Sequence, residues 1–388
     1  NFDFAKRQMV HMLENIPQGE AKMPHSINGK GNTSCRSIYW WTSGFFPGIL
    51  WYINEYTGDK TFESFAKKWT EKLEPVKTFK GNHDIGFMMY CSFGNAYRLT
   101  QNEKYKDILI QSAYSLATRF NPQVGTIKSW DSWRSWENKH VFKYPVIIDN
   151  MMNLELLFWA SKATGDPSFR NIAISHAEKT MKYQIRKDGS SYHLACYDPE
   201  TGNFIKGETS QGYSNESTWS RGQGWGIYGF TLCYRETKDP RFLKTAQRMA
   251  DYYINHPNLP SDKIPWWDFD THRPGFIPGK FSKTNKYIQN YRDASAASVT
   301  ASALLELSSY VKDDKKKIYT ETALQILTSL SSPEYRAEEG KNGNFILKHS
   351  TGAIPHGSEV DVPLIYADYY FLEALLRYNR MINNKPIL

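Results

Sequence analysis

Apolar runs of helical length alternate along the chain with amphipathic ones, joined by a short turn that recurs as Thr-x-Asp or Thr-x-Asn. The pairs are "FPGILWYINEYTGDKTFESFAKKW" from residue 46, "FGNAYRLTQNEKYKDILIQSA" from 93, "NLELLFWASKATGDPSFRNIAISHA" from 153, "GIYGFTLCYRETKDPRFLKTAQRMADYY" from 226 and, more loosely, "ASALLELSSYVKDDKKKIYTETALQIL" from 301. After Thr57, Thr100, Thr164 and Thr237 come Asp59, Asn102, Asp166 and Asp239, short acceptors expected to cap the next helix, with Pro at the first helical position after Asp166 and Asp239. A sixth apolar segment, "LIYADYYFLEALLRYN" from 364, has no following partner, and the amphipathic stretch 3 to 15, "DFAKRQMVHMLEN", is expected to supply one.

Six apolar and six amphipathic helices predict an all-α fold, an (α/α)6 barrel formed by residues 1 to 388 as one catalytic domain, apolar set inside and amphipathic set outside. An open solenoid is the alternative. The capping positions 59, 102, 166, 239 and 313 lie 43, 64, 73 and 74 residues apart, which is unlike a solenoid's constant period. The extra residues precede the inner helices, so one mouth of the barrel should carry the long loops.

That mouth collects the polar and aromatic residues that a core helix would not explain. Trp40 and Trp41 precede the first inner helix, His83 and Asp84 the second, and Asp149 the third; Trp219, Arg221, Gln223 and Trp225 open the fourth. Tyr291, Arg292 and Asp293 precede the fifth, and His356, Ser358, Glu359 and Asp361 the sixth. Converging helix N-termini offer free N–H donors to an anion. Asp84, Asp149 and Asp293 are also short acids of the kind that cap helices. Asp149 follows Val146, Ile147 and Ile148, and apolar surroundings raise a carboxyl's pKa while a helix N-terminus lowers it.

Composition narrows the ligand. Aromatic residues make up 15% of the chain, and the tryptophans of "KSWDSWRSWENK" (130, 133, 136) suit a platform for sugar rings, with Arg134 and Lys139 nearby for an acidic group. A net charge of +8 favours a polyanionic partner, but no long basic block points to nucleic acid. No apolar run reaches the ~20 residues of a membrane span. The four cysteines form no metal or redox motif, and nucleotide, serine-hydrolase and zinc signatures are absent, so neither metal nor cofactor is expected. Export, to the periplasm for example, is expected over a cytoplasmic location, although no signal peptide is visible.

The motifs "HDIGF" at 83, "IIDNMMNLELLFWAS" at 147, "SSYHLACYDPETGN" at 190, "STWSRGQGWGIYGF" at 217, "WDFD" at 267, "YRDASAAS" at 291 and "DYYFLEALLR" at 368 resemble the unsaturated glucuronyl hydrolases of glycoside hydrolase family 88. The resemblance implies an (α/α)6 barrel that removes the 4,5-unsaturated uronic acid from the non-reducing end of lyase-generated glycosaminoglycan di- and oligosaccharides of chondroitin, hyaluronan or heparin type. It implies Asp149 as general acid and base, and Asp84 as the second essential carboxylate. It also implies Trp41, His83, Trp130, His193, Gln211, Arg221, Trp225 and Ser358 around the substrate, with the Arg221 guanidinium as partner of the uronate carboxylate. Rival readings are an unsaturated rhamnogalacturonyl hydrolase acting on pectin fragments and a non-catalytic binder of acidic sugars.

Overall fold

The computed structural model describes residues 1 to 16 and 22 to 387. Its helices are α1 (Phe2–Asn15), α2 (Phe45–Thr57), α3 (Lys60–Glu71), α4 (Ile85–Met89), α5 (Asn95–Thr100), α6 (Glu103–Ala117), α7 (Asn150–Thr164), α8 (Pro167–Tyr183), α9 (Ser220–Thr237), α10 (Pro240–Asn255), α11 (Ala294–Ser308), α12 (Asp313–Leu330) and α13 (Ile365–Ile382). A π-turn at Tyr90–Gly94 joins α4 to α5, so the two act as one inner helix.

The inner helices close on themselves: α2 packs on the α4–α5 unit and on α13, and α7, α9 and α11 complete the circuit between them. Burial follows position. Every residue of α11 is buried, whereas α10 buries Phe242, Thr245, Ala246, Met249, Ala250 and Tyr253, the i, i+3, i+4 stripe of an outer helix. Inner backbones approach closely; a Cβ on Gly48 of α2 would lie 2.4 Å from the Tyr369 ring of α13. Helix α1 fills the outer gap between α12 and α3, where Asn1 Nδ2 donates to Ser331 Oγ at 2.8 Å and Lys6 pairs with Asp59 at 2.7 Å.

The recurring turn has one construction. Thr57, Thr100, Thr164 and Thr237 donate their hydroxyls to the carbonyls four residues back, at 2.7 to 2.8 Å. The next residue is left-handed: Gly58 at φ 71°, Gln101 at 53°, Gly165 at 77° and Lys238 at 59°. The Asp or Asn that follows accepts from the second N–H of the outer helix, as Asp166 does from Ser168 at 2.8 Å. The fifth turn departs from the expectation: Lys312, not residue 313, stands at the N-cap and makes no side-chain capping bond.

At the end of the ring that holds the C-termini of the inner helices, these helices carry charges that their apolar runs conceal. Arg377 is bonded to Glu306 at 3.1 Å and to Tyr228 Oη at 2.8 Å. Glu373 accepts from Tyr52, Tyr228 and Ser302 at 3.1, 3.0 and 2.6 Å. Buried charges persist only when paired in this way. A cavity of about 320 Å³ opens beside them.

The long connections lie at the opposite mouth and contain short antiparallel strands. In one three-stranded sheet, Tyr144–Ile147 pairs with Leu194–Tyr197, which pairs with Phe204–Glu208. No described helix is long and apolar enough to cross a membrane. Replacing one capping acid tests the turn: Asp166→Ala should lower stability by about 1 kcal/mol in urea unfolding and leave the helical circular dichroism of the native state unchanged.

Candidate active site

A cavity of about 520 Å³ occupies the mouth formed by the N-termini of the inner helices, and Asp84 and Asp149 lie on its floor. Local pairing explains their position. The strand Tyr144–Ile147 runs beside Leu194–Tyr197, Ile148 N donates to His193 O at 2.9 Å, and α7 begins at the next turn. Asp149 therefore emerges between a sheet and a helix, beside His193.

The three acids that the sequence leaves between capping and chemistry divide clearly. Asp293 caps α11 through Ser295 N at 3.0 Å and holds Arg221 at 2.9 Å. Asp84 and Asp149 stand at the starts of α4 and α7 without making a side-chain capping bond. Both are more than nine-tenths buried, and burial holds both carboxyls above the ordinary range. Asp149 is pushed up to about 7 by desolvation, against the opposing charge of Arg221; Asp84 is raised by desolvation and then by the charge of Asp149.

Two neutral imidazoles back the acids. His83 Nε2 lies 3.3 Å from Asp84 Oδ1, and His193 Nε2 lies 3.7 Å from Asp149 Oδ2. Burial pushes His83 down to about 3 and His193 well below its usual range. Five buried polar atoms here have no hydrogen-bond partner among the described residues: His83 Nε2, Asp149 Oδ2, His193 Nε2, Arg221 Nε and Trp225 Nε1. Native proteins rarely leave such atoms unpaired, and a cluster of them marks where a polar ligand completes the network.

Of the residues expected around a ligand, Trp41, Trp130, Gln211 and Ser358 line the cavity with the two acids. His83, His193, Arg221 and Trp225 stand behind its wall, each at most 2% exposed. Arg221, expected as partner of the uronate carboxylate, is tied into the fold by its terminal nitrogens. Nη1 donates to Asp293 at 2.9 Å and to Thr351 O at 2.5 Å and Nη2 to Gly352 O at 2.8 Å, which leaves Nε and the second N–H of Nη2. The guanidinium stacks on Trp219 at 4.5 Å and on Tyr366 at 5.2 Å.

Tryptophans 130 and 133 face the cavity; Trp133 Nε1 donates to Glu208 at 2.9 Å, and Trp136 Nε1 anchors beneath on Ser210 O at 3.1 Å. Tyr366 lines the cavity and escaped the sequence reading of the site, because it lies inside an apolar helix and looks like core. Glu359, expected at the mouth, lines it too and is held by His25, 334 residues away and 2.6 Å distant. Glu359 also sits at φ 56°, a strained value that sequence does not reveal.

The sequence model for Glycosyl Hydrolase Family 88 matches residues 16 to 234. The chain belongs to this family. Like it is an unsaturated glucuronyl hydrolase of Formosa agariphila, 46% identical over 343 residues that cover 88% of this chain and 80% of that one. The crystal structure of an unsaturated glucuronyl hydrolase specific for heparin is 45% identical and superposes with a TM-score of 0.89, covering 98% of this chain and 97% of the other. A variant of the Streptococcus agalactiae enzyme, complexed with dGlcA-GalNAc6S, gives a TM-score of 0.76 at 29% identity over 97% and 90% of the two chains. These family 88 proteins share the ring.

A carboxyl with pKa 3.8 when exposed and about 7 when folded destabilises the fold as pH rises between those values, because the unfolded chain releases the proton first. Below this window both states are protonated, and above it the penalty is constant. Asp149→Asn should therefore raise the melting temperature relative to the parent by more at pH 8 than at pH 5, as measured by calorimetry.

Proposed function

We propose that this family 88 enzyme hydrolyses lyase-generated glycosaminoglycan oligosaccharides, removing the 4,5-unsaturated uronic acid from the non-reducing end. The observation that carries this reading is the cavity floor: two buried, uncapped carboxyls with raised pKa, surrounded by unpaired donors that cannot themselves titrate near neutrality. Such a floor supplies a proton and then receives one.

The C4=C5 bond of the unsaturated sugar is a vinyl ether, nucleophilic at C4 because the ring oxygen donates into it. Protonated Asp149 delivers its proton to C4, and positive charge develops on C5 and the ring oxygen. The resulting carboxylate takes a proton from water as its oxygen adds to C5. The C5 hemiketal opens, the freed C1 hemiacetal expels the saccharide, and one water has been consumed. Since the reaction begins as a hydration, the carboxylate separations that distinguish ordinary glycosidases do not apply. Asp84 holds sugar hydroxyls, and the Trp41 and Trp130 rings offer apolar faces to the pyranoses.

In this reading the ring acts as one catalytic unit, in an exported compartment where lyases release such fragments. A non-catalytic binder has no need of two acids whose carboxyls burial holds above the ordinary range, and the pectin alternative is decided by turnover of an unsaturated rhamnogalacturonan disaccharide beside a chondroitin one. Asp149→Asn should lower kcat by roughly 10²- to 10⁴-fold, followed as loss of the ultraviolet absorbance of the double bond, while binding of the disaccharide persists. Near-normal turnover in that variant would overturn the mechanism.

A preference for sulfated fragments is not expected to rest on Arg134 or Lys139, since the cavity lining includes no Lys or Arg among the described residues and the Lys139 ammonium lies over Phe281 at 4.4 Å. The double alanine variant should keep the ratio of kcat/KM for sulfated and unsulfated disaccharides within about twofold, as expected of screened surface charges.

A further inference from the structure

His193 is held in one tautomer by the backbone. Its Nδ1 faces two N–H groups, Ser210 N at 2.9 Å and Gln211 N at 3.1 Å, so it must be the bare, accepting nitrogen. The proton lies on Nε2, which has no hydrogen-bond partner among the described residues and points to Asp149 Oδ2 at 3.7 Å. In this form His193 is a donor to Asp149 or to a ligand oxygen, and it is not a base.

Those two N–H groups belong to a polar turn, residues 209 to 217, that has no regular structure to keep it in place. Trp136 Nε1 donates to Ser210 O at 3.1 Å, Gln211 Nε2 to Gly352 O at 3.3 Å and Arg186 Nη2 to Asn215 O and Ser217 O at 3.2 Å, and a carboxylate from a different connection holds the stretch between them at Tyr213 and Ser217. Asp268 is fully buried in the segment that runs antiparallel to the entry of α9, where Phe269 N donates to Thr218 O at 3.0 Å and Ser220 N to Trp267 O at 3.1 Å. Its Oδ2 accepts from Tyr213 N at 2.8 Å and Ser217 Oγ at 2.7 Å, and its Oδ1 from Asp270 N at 2.9 Å. Ser217 Oγ in turn accepts from Ser214 N at 2.9 Å. Gly212 lets the turn close on this carboxylate: a Cβ there would lie 2.7 Å from Thr209 Oγ1 and 3.1 Å from Asp268 Oδ2.

We infer that Asp268 is a positioning residue for the reaction: by bonding the 209–217 turn it aims the Ser210 and Gln211 N–H groups at Nδ1 and so fixes His193 as an Nε2–H donor toward Asp149. The catalytic consequence rests on the function proposed above, but the tautomer does not. Asp268 touches neither the cavity nor a reacting atom, so its influence passes entirely through the turn. Asparagine keeps its shape and is the informative change. Either orientation of the amide sets its NH2 group against a backbone N–H, that of Tyr213 in one and that of Asp270 in the other.

The test reads the imidazole directly. In protein labelled with ¹⁵N at histidine, the His193 signals, identified by their loss in His193→Gln, should show Nε2 protonated and Nδ1 bare in the parent. In Asp268→Asn they should shift toward a mixture of tautomers, with kcat reduced by roughly a hundredfold and KM held within about threefold, as expected when a catalytic group is misplaced rather than binding lost. Ser217→Ala removes one donor and keeps the carboxylate; it carries the test if Asp268→Asn does not fold, and it should show the same shift to a smaller degree. A folded variant whose His193 remains wholly in the Nε2–H form overturns the inference, whatever its activity. A tautomer shift without activity loss sustains the structural link and overturns the catalytic one.

Discussion

The mouth of the barrel depends on one buried cation. Arg221 sits in the first turn of α9, pairs with the acid that caps α11, bonds two carbonyls of the loop before α13 and stacks on a tyrosine of α13 itself. Three consecutive inner helices are thus fixed relative to one another by a single guanidinium. Removing a charge from water into such a place is expensive, and its cost is met because both terminal nitrogens find acceptors and the charge finds Asp293. The same cation lies near enough to Asp149 to oppose the rise that burial causes, so it helps to keep that carboxyl near 7.

This arrangement explains why the acids at the mouth differ although all three begin a helix. Asp293 has a guanidinium and a backbone N–H to satisfy it, and it is structural. Asp84 and Asp149 lack both and are buried, a combination that natural proteins tolerate where the unsatisfied group has work to do. Their neighbours are matched to this. A neutral histidine behind each acid provides polar contact without the full charge that would drag the carboxyl back toward its ordinary pKa.

The ring was legible in the sequence because its signals are local. Each Thr-x-Asp turn is complete within ten residues: a hydroxyl bonded one helical turn back, one left-handed residue and one cap. The position of α1 followed from leaving the sixth apolar segment without a partner. Asp84 and Asp149 were legible as residues at helix entries, and their company at one cavity followed from the ring. What stayed hidden depends on distant pairing. Glu373 and Arg377 lie in a segment that reads as an apolar run, and the partners that let both charges stay buried are each other and the tyrosines of other helices. The fork of Arg221 looked available because the carbonyls that consume it come 130 residues later in the chain.

The distribution of charge at the cavity follows from the same separation of wall and backing. Its described lining presents aromatic faces, amide and hydroxyl groups and acids, while the cation stands one layer behind, its terminal nitrogens already bonded. A cavity so built attracts an anionic sugar through the field of a fixed guanidinium and of oriented helix ends, rather than through a mobile lysine on the wall. The difference matters for chemistry that begins with proton delivery. A flexible ammonium beside Asp149 would pair with the carboxylate and lower its pKa, which removes the acid; a guanidinium held by Asp293 and two carbonyls cannot close that distance. Locking the cation into the fold is therefore what lets one site hold both an anion and a protonated carboxyl.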